Sequence, residues 1–437
     1  MTPRRRLARL ALVLALAACT DKLVAPGACP DFCPSGTIVT ADTILTDVIA
    51  RDSSFRGYLR GDRGSALAVA DLPGVVDSRA IMLMNKMNTR VAPKPPDTAT
   101  VPISVDSSWL RVHIVRRDTN TANLWLKLYR LPLTIDSTIT FAALAPAFAD
   151  SLIDSVNVDS LLARPLIEDT ATVRIWGDTI RTDSAGHVLQ VADADSSLIL
   201  YFLLDTLQAP FSVADSGQLA FGVRVAADSL ASISLGSNDV LNRDAVLRRF
   251  YHYVKTIDST TDSTIYATAD REVLFDGFVF DPPNPALDSN LTVGGVPSAR
   301  SLVRVAFPSF LRDSTDIVRA TLILVPVGPA LGAAGDSFAV LARPVIADLG
   351  GKSPLRTEPE VFGITTIHLN TADTVRIEVT DMLRLWSADT AAATALMLSQ
   401  APEAATYTQA RFYSSRTPAF RPALRITYVK RYPFGVP

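Results

Sequence analysis

Apolar and polar residues alternate along run after run of this chain, and that two-residue period constrains the fold more than any other feature. Leu110, Val112 and Ile114 share one phase of the run SSWLRVHIVRR, and Leu124, Leu126 and Leu128 share one phase of ANLWLKLYRLPL. Residues two apart in an extended chain point to the same face, so each run reads as a half-buried antiparallel strand. The runs are punctuated by Gly, Pro and the pairs Asp52-Ser53, Asp136-Ser137, Asp183-Ser184 and Asp313-Ser314. Asp and Ser side chains bond to nearby backbone, which makes such pairs turn formers. A single helical pattern stands out, where Val375, Ile377 and Val379 give way to Met382, Leu383 and Trp386. At 437 residues the chain exceeds one ordinary sandwich, and 48% hydrophobic content is enough to build cores. The expected fold is all-β, with two tandem antiparallel β-sandwich (jelly-roll-like) domains. A propeller would need more copies of a shorter unit. A transmembrane barrel also alternates, but 7% aromatic residues is thin for two girdles.

The tandem reading rests on a repeated order of strands. Ala395–Ser399, Ala410–Ser414 and Ala423–Val429 end in Tyr428-Val429-Lys430, while Leu219–Val225, Leu230–Leu235 and Phe250–Lys255 end in Tyr253-Val254-Lys255. Leu67-Ala68-Val69 corresponds to Leu291-Thr292-Val293, Arg79–Met84 to Ser301–Ala306, and Trp109–Val115 to Val318–Leu324. The offset shrinks along the chain because the first copy carries an insertion within 133–187, centred on Phe141–Leu166, with a patchy helical period. The polar stretch Asp258–Ser263 reads as the boundary, giving a first domain over 37–257 and a second over 264–430.

The N-terminus carries a different signal. Arg4, Arg5 and Arg6 precede an apolar run from Leu7 to Ala18 that is too short for an ordinary membrane span. The run ends Leu16-Ala17-Ala18-Cys19, which resembles the lipobox of bacterial lipoproteins. The resemblance implies cleavage of residues 1–18, acylation of Cys19 on sulfur and amine, and a stable membrane anchor. Thr20 stands where that family places Asp for inner-membrane retention, which implies the outer membrane, on its periplasmic or cell-surface face. Residues 19–36 read as a tether. Cys29 and Cys33 remain for a small local disulfide in an oxidising compartment. Their spacing is not that of a Cys-x-x-Cys redox centre, and further metal ligands are absent nearby.

From Leu291 to Val429 the runs SNLTVGG, SLVRVAFPSFL, IVRATLILV, VRIEVTDMLRLW, ALMLSQ, ARFYSS and RPALRITYV resemble the bacterial DNRLRE-type domain. That family implies a β-sandwich related to carbohydrate-binding modules of secreted and surface proteins. Its frequent Ser-x-Glu is replaced here by Ser415-Arg416-Thr417, and by Ser237-Asn238-Asp239 in the first copy. The resemblance therefore implies a fold rather than a set of binding residues.

Chemistry-bearing motifs are sparse. The four histidines, His113, His187, His252 and His368, have no second histidine at ligand spacing, and each reads as a surface or strand-packing residue. Gly-x-Ser-x-Gly is absent, and Gly350-Gly351-Lys352-Ser353 lacks the upstream glycine of a phosphate-binding loop. Among 44 acidic residues, Asp270 with Glu272 or Glu358 with Glu360 are only arbitrary choices for a glycosidase pair. Asp281, Asp288 and Asn290 offer oxygen ligands for a structural Ca2+ but no EF-hand spacing; no other metal or cofactor is expected. Trp109, Trp125, Trp176 and Trp386, with Tyr407, Phe412 and Tyr413, can stack on sugar rings, but each reads first as a core or inter-domain residue. Trp386 extends the apolar face of its helix and is expected to plug a sandwich end. Trp125 faces opposite to Leu124 and Leu126, towards solvent or the insertion. A net charge of -2 and the short basic tail Lys430-Arg431-Tyr432 give no field for nucleic acid. The expected function is a non-enzymatic, lipid-anchored envelope or surface module for structure, adhesion or glycan contact. The alternatives are a carbohydrate-binding lipoprotein that assists polysaccharide use and an acid-pair glycan hydrolase. Expected partners are the membrane, through the anchor, and glycan or envelope proteins.

Overall fold

A computed structural model describes residues 40–56, 61–73, 76–93, 99–117, 121–166, 179–192, 197–228, 230–256, 262–281, 287–330, 337–347 and 356–431. Cys19, Cys29, Cys33, Trp176 and the Gly350–Ser353 stretch lie outside these residues. In chain order the strands of the first half are β1 (Thr40–Leu45), β2 (Ile49–Arg56), β3 (Ala66–Leu72), β4 (Val76–Met84), β5 (Arg90–Val91), β6 (Val101–Pro102), β7 (Ser104–Arg117) and β8 (Trp125–Leu131). Then come β9 (Leu152–Asn157), β10 (Thr179–Thr182), β11 (Val188–Val191), β12 (Leu198–Leu204), β13 (Ala220–Ala226), β14 (Ala231–Gly236), β15 (Val246–Thr256) and β16 (Asp262–Asp281). The remainder are β17 (Leu291–Gly294), β18 (Ala299–Val305), β19 (Thr315–Leu324), β20 (Ser337–Ala347), β21 (Arg356–Thr357), β22 (Gly363–His368), β23 (Val375–Glu378), β24 (Ala395–Ala401), β25 (Gln409–Phe412) and β26 (Ala423–Lys430). The fold is all-β, and every pairing between these strands is antiparallel.

One set of strands surrounds a core that includes Leu110, Val112, Ile114, Phe202, Phe221, Val223 and Leu247. One run of it follows β10-β11-β12-β7-β15 and ends on the first part of β16. Another follows β9-β8-β13-β4 and ends on the last part of β16, with β3 and β14 joining β4 to β7. A second set surrounds Leu291, Val303, Leu322, Phe338, Ile377, Leu396 and Leu424. It contains the order β1-β26-β19-β23 and the order β22-β20-β24-β18-β2, with β17 and β25 attached to β18.

The helices sit where the pattern changes period. The Phe141–Leu166 insertion forms α1 (Phe141–Asp150), β9 and α2 (Val158–Leu162), so it is neither one helix nor a plain loop. Thr140 caps α1 by accepting from the Ala143 N–H, and Leu144 and Phe148 pack against Ile81, Tyr129 and Leu131. After α3 (Ser309–Asp313), α4 (Thr380–Ala388) buries Met382, Leu383 and Trp386, as their spacing predicts. Trp386 is fully buried, edge-on to Phe307 at 5.9 Å.

The expected domain spans do not follow the sheets. β1 and β2, within the expected 37–257, hydrogen-bond to β26 and β18. β16, which runs from the expected boundary into the expected 264–430, pairs instead with β15 and β4. The boundary expected at Asp258–Ser263 thus falls between two strands, β15 and β16, that pair with each other, Thr256 opposite Asp262. Alternation tells which face of a strand is buried but not which edge accepts it, so the pattern could not locate these partners. The two strand sets also touch: the Tyr407 hydroxyl donates to the Ala68 carbonyl at 2.8 Å, and Ser234 Oγ donates to the Ala405 carbonyl.

Candidate functional site

The backbone of β7 sends Ser108, Leu110, Val112 and Ile114 into the core and leaves Trp109, Arg111 and His113 on the outer face. Trp109 lies opposite Leu203 of β12 on one side and Arg248 of β15 on the other. Tyr201 lies opposite Arg111, and Phe250 opposite Ser107, so three aromatic rings line up across three adjacent strands. The Trp109 ring is 6.0 Å from Tyr201 and 5.3 Å from Phe250, edge-on to both. All three are half-buried: each is partly covered by its neighbours and partly open to solvent.

Polar groups fix the edges of this row. The Tyr201 hydroxyl donates to Gln190 Oε1 on β11 at 3.1 Å. Arg248 makes two 2.7 Å bonds to Asp270 on β16. That bidentate pairing holds the Asp270 carboxyl below the usual carboxylate range and raises the guanidinium. Towards one end, His252 meets Asp106 at 2.8 Å, and Tyr266, 76% exposed, lies 5.8 Å from the His252 ring. Half-open rings with fixed donors and acceptors beside them can hold a pyranose ring by its C–H face and bond its hydroxyls.

The matching outer face of the second strand set has no such row among the described residues. Thr321 of β19 lies opposite Arg425 of β26 and Glu378 of β23, and Arg376 opposite Ile323. Arg425 bonds Asp42 at 2.6 Å and Arg319 bonds Glu378 at 2.9 Å. The arginine–aspartate pair is thus common to both faces, and the aromatics are particular to one.

Most of the residues singled out from sequence lie elsewhere. Trp386 and Phe412 are core, Tyr407 sits at the junction of the two strand sets, and Tyr413 stacks on Phe420 at 4.9 Å. Trp125 is 39% exposed, opposite Asn157 of β9 in the insertion. Asp270 is held by Arg248 while Glu272 is exposed, and Glu358 accepts the Glu360 N–H at 3.3 Å in a local turn. Asp288 accepts the Asn290 N–H at 2.9 Å, the Asn290 side-chain amide at 3.0 Å and the Arg411 guanidinium. Among the described residues no three His, Cys, Asp or Glu side chains group as a metal site.

Three buried ionic groups escaped the sequence reading. His187 is 3% exposed and bridges Asp183 at 2.7 Å and Asp154 at 3.0 Å. Burial works against its charge, but the hydrogen bonds and charges of the two carboxylates outweigh that and raise its pKa. Histidine–histidine spacing could not reveal this bridge: Asp183 lies four residues before His187, between β10 and β11, but Asp154 comes from β9, 33 residues away. Arg249 donates to the carbonyls of Ala209 at 2.6 Å and Gly217 at 3.1 Å and to Ser108 Oγ at 3.0 Å, and burial lowers it to about 10. Asp276 is 3% exposed and accepts the Asn238 N–H at 2.8 Å. Burial pushes its carboxyl up to about 6, with Asp239 and Asp244 adding to the shift. In the aromatic row, Trp109 was expected in the core or between domains, but it lies on the outer phase of β7, opposite to Leu110, Val112 and Ile114. Tyr201 lies in the continuous apolar run LILYFLL, where no phase is visible.

No protein-family model and no curated protein matches the chain. No helix among the described residues is long and apolar enough to cross a membrane.

Proposed function

We propose that the protein is a non-enzymatic, lipid-anchored envelope module that contacts glycan through the Tyr201–Trp109–Phe250 row. The observation that carries this reading is the row itself: three half-open rings across three strands, with Arg248, Asp270 and Gln190 beside them. The charged outer face of the second strand set supports it, because a row needed only to hold a sandwich together would be needed in both. The resemblance to carbohydrate-binding-like sandwiches fits this use, and the Leu16–Cys19 lipobox supplies the anchor. Two carboxylates, one from a candidate acid pair and one buried, weigh against a hydrolase at this face. Asp270 is neutralised by Arg248, and Asp276 is closed off beneath the Asn238 N–H and the Ser237 hydroxyl, out of a substrate's reach.

A pull-down on insoluble polysaccharides, including peptidoglycan, tests the reading. The wild-type protein is expected in the pellet with at least one polymer, and Trp109→Ala in the supernatant, with Trp125→Ala as the exposed-tryptophan control. Equal partitioning of Trp109→Ala and wild type on every polymer would show the row to be cross-strand packing, leaving the structural-module reading.

A further inference from the structure

We propose that the chain is a duplicated sandwich whose two copies have traded their first strands, and that β1–β2 can complete either unit, including one in a second copy of this chain.

The pairings carry the inference. In sequence order, β3, β4, β7, β8, β9, β12, β13, β14 and β15 correspond to β17, β18, β19, β20, β22, β23, β24, β25 and β26. The first series pairs as β15-β7-β12, β14-β3-β4-β13-β8-β9 and β7-β14. The second pairs as β26-β19-β23 and β25-β17-β18-β24-β20-β22. Its counterpart of β7-β14 is the bridge from Pro326, just after β19, to Phe412 of β25. Apart from the short strands β5, β6, β10, β11 and β21, what remains is β1–β2, which precedes the first series, and β16, which precedes the second. Each completes the other copy: β1 on β26 and β2 on β18, β16 on β15 and on β4.

The donors are alike in detail. Thr40-Ala41-Asp42 and Thr268-Ala269-Asp270 share three residues, and their aspartates form the ion pairs with Arg425 and Arg248. Further on, each donor carries one buried aspartate. Asp52 lies opposite Val303 of β18 and accepts the Ser415 N–H; Asp276 lies opposite Met82 of β4 and accepts the Asn238 N–H. Both N–H groups come from the turn before the last strand of their unit. The donors differ in that β1 and β2 are joined by a corner, whereas β16 runs straight through. Similar donors meeting acceptors of the same topology is the condition under which a strand can be exchanged between molecules.

Full-length chains with Cys19, Cys29 and Cys33 replaced by serine allow a disulfide test. Ile44 and Arg425 are register partners, and both are exposed, so substitution at either should leave the fold intact, as circular dichroism will show. Ile44→Cys/Arg425→Cys is expected to crosslink within one chain, and Ile44→Cys/Arg248→Cys is not; the opposite result would mean the copies keep their own strands. Ile44→Cys chains co-refolded with Arg425→Cys chains, or with Arg248→Cys chains, are expected to form mixed disulfide dimers that increase with concentration. Dimers no more abundant than each chain forms with itself, in either mixture, would overturn donation to a second copy.

Discussion

Replacing Asp276 by Asn should stabilise the protein at neutral pH, although it removes a buried hydrogen-bonded carboxylate. Asp276 is raised from 3.8 to about 6, first because burial strips its water and then because Asp239 and Asp244 repel its charge. The unfolded carboxyl loses its proton near pH 4, whereas the folded one keeps it until about pH 6. Between those values the folded state binds more protons, so its stability falls as pH rises and is flat above the window. A shift of roughly two units is worth about 3 kcal/mol of stability present at pH 4 and lost by pH 7. Asn keeps the shape, and its carbonyl oxygen can still accept the Asn238 N–H at 2.8 Å, while carrying no charge at any pH. We expect a gain of about 1–3 kcal/mol at pH 7, the lower end applying where the new amide N–H2 finds no partner. Urea unfolding of both proteins from pH 4 to 8 reads this directly, since a shifted midpoint at constant slope reports stability alone. The difference between variant and wild type should be small at pH 4 and grow through pH 6. A variant less stable than wild type at pH 7, or a difference independent of pH, would refute the reasoning.

Other residues give shorter tests. Asp154→Asn should lower the pKa of His187, seen in the proton NMR titration of its ring. A raised histidine stabilises fully below its unfolded pKa and loses that contribution as pH rises through the folded one, so the variant should lose it at lower pH. Gly236→Ala would place a methyl 1.8 Å from the Arg243 carbonyl oxygen, a backbone atom that cannot swing aside; a cost of about 3 kcal/mol in a urea titration is expected. Cys19→Ala should leave the precursor uncleaved and move the protein out of the membrane fraction, and unchanged fractionation would sink the lipobox reading.

How much the sequence revealed depended on whether the answer was local. Period-two runs such as Leu110–Ile114 gave strands and their inward faces, and Met382, Leu383 and Trp386 gave a helix with its buried side, because both depend on neighbours a few residues away. Edge partners depend on the whole sheet. Thr40–Arg56 and Asp262–Asp281 carry the same alternation and both begin strands, so nothing local assigned one to β26 and the other to β15. The aromatic row was missed for the same reason. The phase of Leu110, Val112 and Ile114 leaves Trp109 outward, yet it was read as a core or inter-domain residue, and its neighbours Tyr201 and Phe250 arrive from strands distant in sequence. Arg249 occupies an inward position of β15 that a polarity pattern assigns to solvent; the carbonyls of Ala209 and Gly217 make it tenable there.

The most direct measurement for the glycan-contact reading is a glycan-array screen of the soluble fragment from Thr37 to Val429 beside its Trp109→Ala and Tyr201→Ala variants, with and without Ca2+. We expect reproducible binding to a group of related glycans that drops at least tenfold in both variants and is unaffected by Ca2+. Silence across the array, or binding that survives both substitutions, would contradict glycan contact through this face.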